Sequence, residues 1–251
     1  MIEKIKQKEK IIVLTAYAYS TAKICEEAGI DIILVGDSLA MVFQGKPDTK
    51  TVTMDEMLYH TKAVARGATK TLIVGDMPIN SYNAPETALE NAKRFLEAGA
   101  HGVKIEGNKP EIISTLIKNN IPVMGHIGLL PQTAEQYKEQ GKDKESAEKL
   151  LKDAVELDNL GVFTLVLECI PTQLAKEITE KTKCKTIGIG AGPYCDGQVL
   201  VINDMLGLFD KFTPKFVRKY ANLRETIAKA VSSYKKDVEE GNFPSENESY
   251  N

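Results

Sequence analysis

Short apolar runs alternate with amphipathic stretches from one end of this chain to the other, the pattern left by repeated βα units around a parallel sheet. Eight runs read as strands: Ile11 to Tyr17, Ile32 to Asp37, Thr71 to Asp76, Gly102 to Glu106, Pro122 to His126, Thr164 to Glu168, Thr186 to Gly190 and Gln198 to Asn203. Between them apolar residues recur at helical spacing. In Asp55 to Arg66, Met57, Leu58, Ala63 and Val64 fall on one face behind Thr53-Met54-Asp55-Glu56, which has the form of a capping box.

An internal echo supports the modular reading. Glu27-Ala28-Gly29 precedes the second run, Glu97-Ala98-Gly99 the fourth and Leu160-Gly161 the sixth, each glycine placed where a helix would end. Glu106 and Glu168 each lie seven residues beyond their glycine, so they occupy the same phase of their strands; Asp37 lies one residue later. Eight βα units predict an α/β fold, a (β/α)8 TIM barrel. Without a proline-rich or low-complexity linker, residues 1–251 read as a single barrel domain with carboxy-terminal helices from about Pro214 to Val238, and Glu239 to Asn251 as a frayed polar tail.

The bulk numbers narrow the partners. The 251 residues are 43% hydrophobic and 27% charged with a net charge of -3, without the basic excess that nucleic acid or an anionic membrane would favour. Met1 to Lys10 is too charged for the core of a secretion signal, and no run approaches ~18 uninterrupted apolar residues, so the expected location is cytoplasmic. Cys25, Cys169, Cys184 and Cys195 are scattered, which argues against a zinc site or a disulfide framework.

Parallel strands covered on both faces normally end as they begin, in Val, Ile and Leu. Here four runs end in a carboxylate: Asp37, Asp76, Glu106 and Glu168. In a barrel the carboxyl ends of all strands meet at one face, so the four would converge. Any one alone could cap the next helix. Together they would repel one another without a cation, and oxygen ligands with no cysteine or histidine cluster suit magnesium.

Lys104 and Glu106 share one face of their strand, the barrel interior, since Val103 and Ile105 then face the helices. Lys104 reads either as an ion pair with Glu106 or Asp76 or as a holder of a substrate carboxylate or developing oxyanion. His126 ends the run Pro122-Val123-Met124-Gly125 and is open between a hydrogen-bonded structural residue and direct involvement; His60 and His101 fall in or beside helices. Ser38 is either an N-cap or a ligand to an anion.

Three segments, Val35-Gly36-Asp37-Ser38, Gly125-His126-Ile127-Gly128-Leu129 and the glycine-rich Gly188 to Val201, together resemble the ketopantoate hydroxymethyltransferase family. Asp55 to Ala68, Gly75-Asp76-Met77-Pro78 and Lys104-Ile105-Glu106-Gly107 also look like family signatures, and the likeness runs from about Ile12 to Leu208. The resemblance implies a (β/α)8 barrel, assembled as a homodecamer, that transfers a one-carbon unit from 5,10-methylenetetrahydrofolate to 3-methyl-2-oxobutanoate (α-ketoisovalerate). The product would be 2-dehydropantoate, for pantothenate and coenzyme A biosynthesis. By that resemblance Asp37 and Asp76 match magnesium (Mg2+) ligands and Glu106 the third acidic residue of the metal site. Ser38, Asp76 and Lys104 match residues that hold the oxo acid, Glu168 matches the general base, and His126 lies beside bound substrate. The chain departs from many relatives at Ala18, where they carry aspartate, at Ala40, where they carry glycine, and in a shorter, more charged segment after Gln132.

Two other readings compete. A magnesium-dependent lyase of the isocitrate lyase and phosphoenolpyruvate mutase group would use the same barrel and the same enolate chemistry, but with a cysteine-bearing flexible loop, whereas Cys169 and Cys195 sit at a strand end and in a glycine-rich turn. A barrel that binds a metabolite without turnover should have lost its costliest residues, and Asp37, Asp76, Lys104, Glu106 and Glu168 are all present.

Overall fold

In the computed structural model, which describes residues 1–250, eight parallel strands close into a barrel in strict sequence order. They are β1 (Ile11–Thr15), β2 (Ile32–Val35), β3 (Leu72–Asp76), β4 (Gly102–Glu106), β5 (Val123–Gly128), β6 (Thr164–Glu168), β7 (Lys185–Ile189) and β8 (Gly197–Leu200). Helix α1 (Ile2–Lys6) precedes the barrel, and α2 (Tyr19–Glu27), α3 (Leu39–Val42), α4 (Met54–Gly67), α5 (Pro85–Glu97), α6 (Pro110–Lys118), α7 (Lys144–Leu160) and α8 (Thr172–Lys181) connect its strands. The expected (β/α)8 TIM barrel is what forms.

The chain divides into two compact units, Met1–Val201 and a second from Ile202 on. The first holds the whole barrel. The second contains α9 (Ile202–Met205) and α10 (Leu223–Glu239), the latter with no buried residue and with ion pairs spaced one helical turn apart, such as Lys229 to Glu225 at 2.9 Å. Of the polar tail expected from Glu239 to Asn251, Glu246–Glu248 form a short 3-10 helix, and Asn251 lies outside the described residues.

Inside the barrel, alternate strand residues pack into one core. Ile11 and Val13, Ile32 and Leu34, Leu72 and Val74, Met124, Val166, Ile187 and Val199 are all buried there, joined by Phe163 and by Ile5 of α1. Removing an Ile or Val side chain from water is worth about 1.5–3 kcal/mol, so this layer is the barrel's main internal support. The intervening residues Val103, Ile105, Leu165 and Leu167 are equally buried and, by the alternation of a strand, face the helices.

Local signals act where the sequence predicts them. Thr53 and Glu56 form the capping box of α4, and Gly29, Gly99 and Gly161 end α2, α5 and α7 with φ of +77, +101 and +97. Gly75 serves a different need: a Cβ there would lie 2.3 Å from Cδ1 of Phe95, so α5 can approach β3 only over a glycine.

Some boundaries move. β1 and β2 stop at Thr15 and Val35, two residues before their expected ends, because after β2 the chain turns through Asp37 and Ser38 into α3. β8 ends at Leu200 and Ile202 already starts a helix, so the run expected to continue to Asn203 is cut short. The last helix begins at Leu223 rather than near Pro214.

Candidate active site

The apolar alternation inside the barrel gives way to charge at the carboxyl ends of the strands. Asp76 continues the inward set Leu72, Val74; His126 follows Met124; Glu168 follows Val166. Strand register then sets neighbours, with Asp76 opposite Lys104 and Glu106 opposite His126. Asp37, one residue out of phase, sits beyond the end of β2 and reaches the same mouth from the turn.

Contacts join these groups. The Asp37 backbone N–H donates to Asp76 Oδ2 at 3.3 Å, and Lys104 Nζ donates to both Asp76 oxygens at 2.7 and 2.8 Å. Lys104 Nζ is 3.7 Å from Glu106 Oε1, His126 Nδ1 lies 3.6 Å from that same oxygen, and His126 Nε2 lies 3.2 Å from Glu168 Oε2. Thus Asp37, Asp76, Lys104, Glu106, His126 and Glu168, separated widely in sequence, form one continuous chain of contacts. Lys104 takes the ion-pair form that was one of its two readings.

None of the four carboxylates caps the helix that follows it: α3, α5, α6 and α8 have Ser38, Ala84, Lys109 and Pro171 in that position. Ser38 does not cap through its side chain either; its Oγ shares a 2.8 Å hydrogen bond with the Tyr17 hydroxyl. His60 and His101 are structural, binding the Tyr17 carbonyl at 2.6 Å and the Ile73 N–H at 3.0 Å.

Two residues without a recognisable signal in the sequence also belong to the cluster. Gln132, 1% exposed, donates from Nε2 to Asp37 Oδ2 at 2.9 Å and to the Met77 carbonyl at 2.9 Å, while its backbone N–H donates to Glu106 Oε2 at 3.2 Å. The buried Tyr82 hydroxyl donates to Gln132 Oε1. Behind Glu168, Cys169 adopts a left-handed backbone with φ of 49, pinned by its N–H to the Ile189 carbonyl and by the Gln140 N–H to its own carbonyl. A non-glycine residue in that region is uncommon and clusters at functional sites.

The electrostatics follow from burial and neighbours. Burial, and then the Asp76 charge, hold the Asp37 carboxyl well above the ordinary range, and burial also raises Asp76 against the opposing Lys104. Glu106 moves the other way: burial would raise it, but His126, Lys104 and the Gln132 N–H together lower it. Burial works against the Lys104 ammonium, yet Asp76, Glu106 and Asp37 outweigh it, so Lys104 is a fixed cation. At His126 burial and Lys104 oppose protonation, but Glu106 and Glu168 lift the imidazole to about 9.

The cluster suits a divalent cation. Among the described residues no three acidic, histidine or cysteine side chains form a ready cage, but magnesium is commonly bound by one or two carboxylates together with water and substrate oxygens. Asp37, Asp76 and Glu106 offer hard oxygen donors, and Glu106 Oε1 is buried with no hydrogen-bond donor. An excess of buried carboxylate over its matching cations is what a metal ion would relieve.

A family model described as ketopantoate hydroxymethyltransferase matches residues 1–246. Curated proteins named 3-methyl-2-oxobutanoate hydroxymethyltransferase are similar along almost their whole length: one from Syntrophomonas wolfei is 54% identical, covering 97% of this chain and 91% of that protein, and one from Thermotoga neapolitana is 53% identical, covering 98% and 93%. Among solved structures, 2,3-dimethylmalate lyase, a PEP mutase/isocitrate lyase superfamily member, superposes with a TM-score of 0.64 at 14% identity over 96% of this chain and 86% of its own. A phosphonopyruvate hydrolase in complex with oxalate and Mg++ gives 0.64 at 12% identity over 98% and 90%. These last two share the fold. Among the described residues no helix is long and apolar enough to cross a membrane.

Proposed function

The chain belongs to the ketopantoate hydroxymethyltransferase family and is an enzyme of that kind, and from that premise we propose that it moves a hydroxymethyl group from 5,10-methylenetetrahydrofolate to 3-methyl-2-oxobutanoate with the help of Mg2+. The product is 2-dehydropantoate, which would place the enzyme in pantothenate biosynthesis. The observation that carries this reading is the unbroken line of contacts from Asp37 through Lys104 to Glu168. That a phosphonopyruvate hydrolase of the same fold forms a complex with oxalate and Mg++ supports a metal-dependent reading. Family membership supports the folate carrier, the homodecamer and a cytoplasmic setting.

In this reading Asp37, Asp76 and Glu106 would hold the cation, which when bound would draw electrons from the ketone and acidify the adjacent C–H bond. Ser38, Asp76 and Lys104 orient the oxo acid, with Lys104 placed to match negative charge as it develops. Glu168 takes the proton from C3, and His126, 3.2 Å away, steadies the carboxylate. Water hydrolyses the ring-opened iminium of the folate, releasing tetrahydrofolate and leaving the one-carbon unit as an aldehyde. The enolate carbon then adds to that carbonyl, whose oxygen takes a proton and becomes the hydroxyl of the product.

The test is exchange of the C3 proton of 3-methyl-2-oxobutanoate, followed by NMR in deuterated buffer with Mg2+, with and without the folate. Metal-dependent exchange together with 2-dehydropantoate formation is the expected result. Absence of exchange would remove Glu168 from the role of base, and exchange without product would point to a different one-carbon carrier.

A further inference from the structure

Gln132 is the residue whose hydrogen bonds join side chains that the strands leave apart. Asp37 belongs to the turn after β2, Met77 follows β3, Glu106 ends β4 and Tyr82 lies in the loop before α5, yet all four bond to this single residue. The orientation of its amide is not free. The Met77 carbonyl can only accept and the Asp37 carboxylate accepts, so the NH2 must face them, which leaves Oε1 for the Tyr82 hydroxyl. At 1% exposure, Gln132 is shielded from bulk solvent.

We infer that Gln132 is a positioning residue that sets the cation affinity of the mouth: its amide, clamped by Tyr82 and Met77, fixes the Asp37 carboxylate while its backbone N–H fixes Glu106. This rests on the proposed metal site and adds to it a residue that does not touch the metal. Without these bonds the Asp37 carboxylate, carried on a turn, and the Glu106 carboxylate, at the end of β4, would each lose a donor that fixes it, and ordering them would draw on the binding free energy. Partners that orient ligating groups typically alter metal affinity by about 10–100-fold when removed.

The experiment uses the full chain and Mn2+ as the probe, with free Mn2+ read by electron paramagnetic resonance in the absence of substrate and thermal melting run in parallel. Gln132→Met is expected to bind Mn2+ about 10–100-fold more weakly than wild type. Tyr82→Phe, which removes only the hydroxyl clamp, is expected to weaken binding in the same direction by a smaller factor, and it decides the matter alone if Gln132→Met does not fold. Affinity within twofold of wild type in the folded variants, even with lowered melting temperatures, overturns the inference, because a merely structural residue would behave that way. A wild-type chain that binds no Mn2+ would instead overturn the metal reading beneath it.

Discussion

On the β2 to β4 side of the barrel mouth, Asp76, Lys104 and Glu106 are nearly inaccessible, with side-chain exposures of 2, 5 and 3%, and each charge has a counter-charge in reach. On the β5 to β6 side, His126 is just as buried, but Glu168 keeps 16% of its side chain open and sits before a left-handed residue in the loop. One corner is a buried cluster of paired charges; the other presents a carboxylate that keeps part of its surface open. The contrast separates residues that hold from the residue that moves a proton, and it predicts that they will fail differently when changed.

The largest effect should come from the open corner. Glu168→Gln is expected to lower kcat by about 10²–10⁴-fold, with little change in KM or melting temperature. Steady-state kinetics and melting on the same preparation would check it, and a comparable loss of stability would erase the distinction between the corners. In the closed corner, Lys104→Met leaves Asp76 without its counter-charge and Glu106 with His126 alone, and is expected to cost about 3–5 kcal/mol of stability. Chemical denaturation would measure this, and saturating Mg2+ should restore part of it. A smaller effect tests the seam between the corners. Because the raised His126 pKa, about 9, exceeds the value near 6.5 expected when unfolded, its stabilisation is full below about pH 6.5 and is lost as pH rises through about 9. Urea midpoints of metal-free protein should therefore fall across that window, and the fall should be absent from His126→Gln.

The strands and the inward phase of their carboxylates were legible because a buried parallel strand leaves a continuous apolar run and the helix-ending glycines mark its start. β4 and β6 match their expected bounds residue for residue. The early ends of β1 and β2 were not legible, since the residues that follow them, Ala16-Tyr17 and Gly36-Asp37, are as buried as the strands themselves. Pro214 looked like a helix start, but α10 begins only at Leu223. Gln132 and Tyr82 left no signal because a neutral polar residue in a loop looks solvated until its partners are known. Those of Gln132 lie 95 positions away at Asp37 and 50 away at Tyr82.

The equal interval of seven residues from Gly99 to Glu106 and from Gly161 to Glu168 also bears on how such a chain can vary over generations. Inserting or deleting one residue within β4 would exchange the two faces of the strand beyond that point, so that a change at its start turns Val103 and Ile105 into the mouth and buries Lys104 and Glu106 against hydrocarbon. Point changes can retune this enzyme, but length changes can be absorbed only after the strands end, in the loops above the mouth.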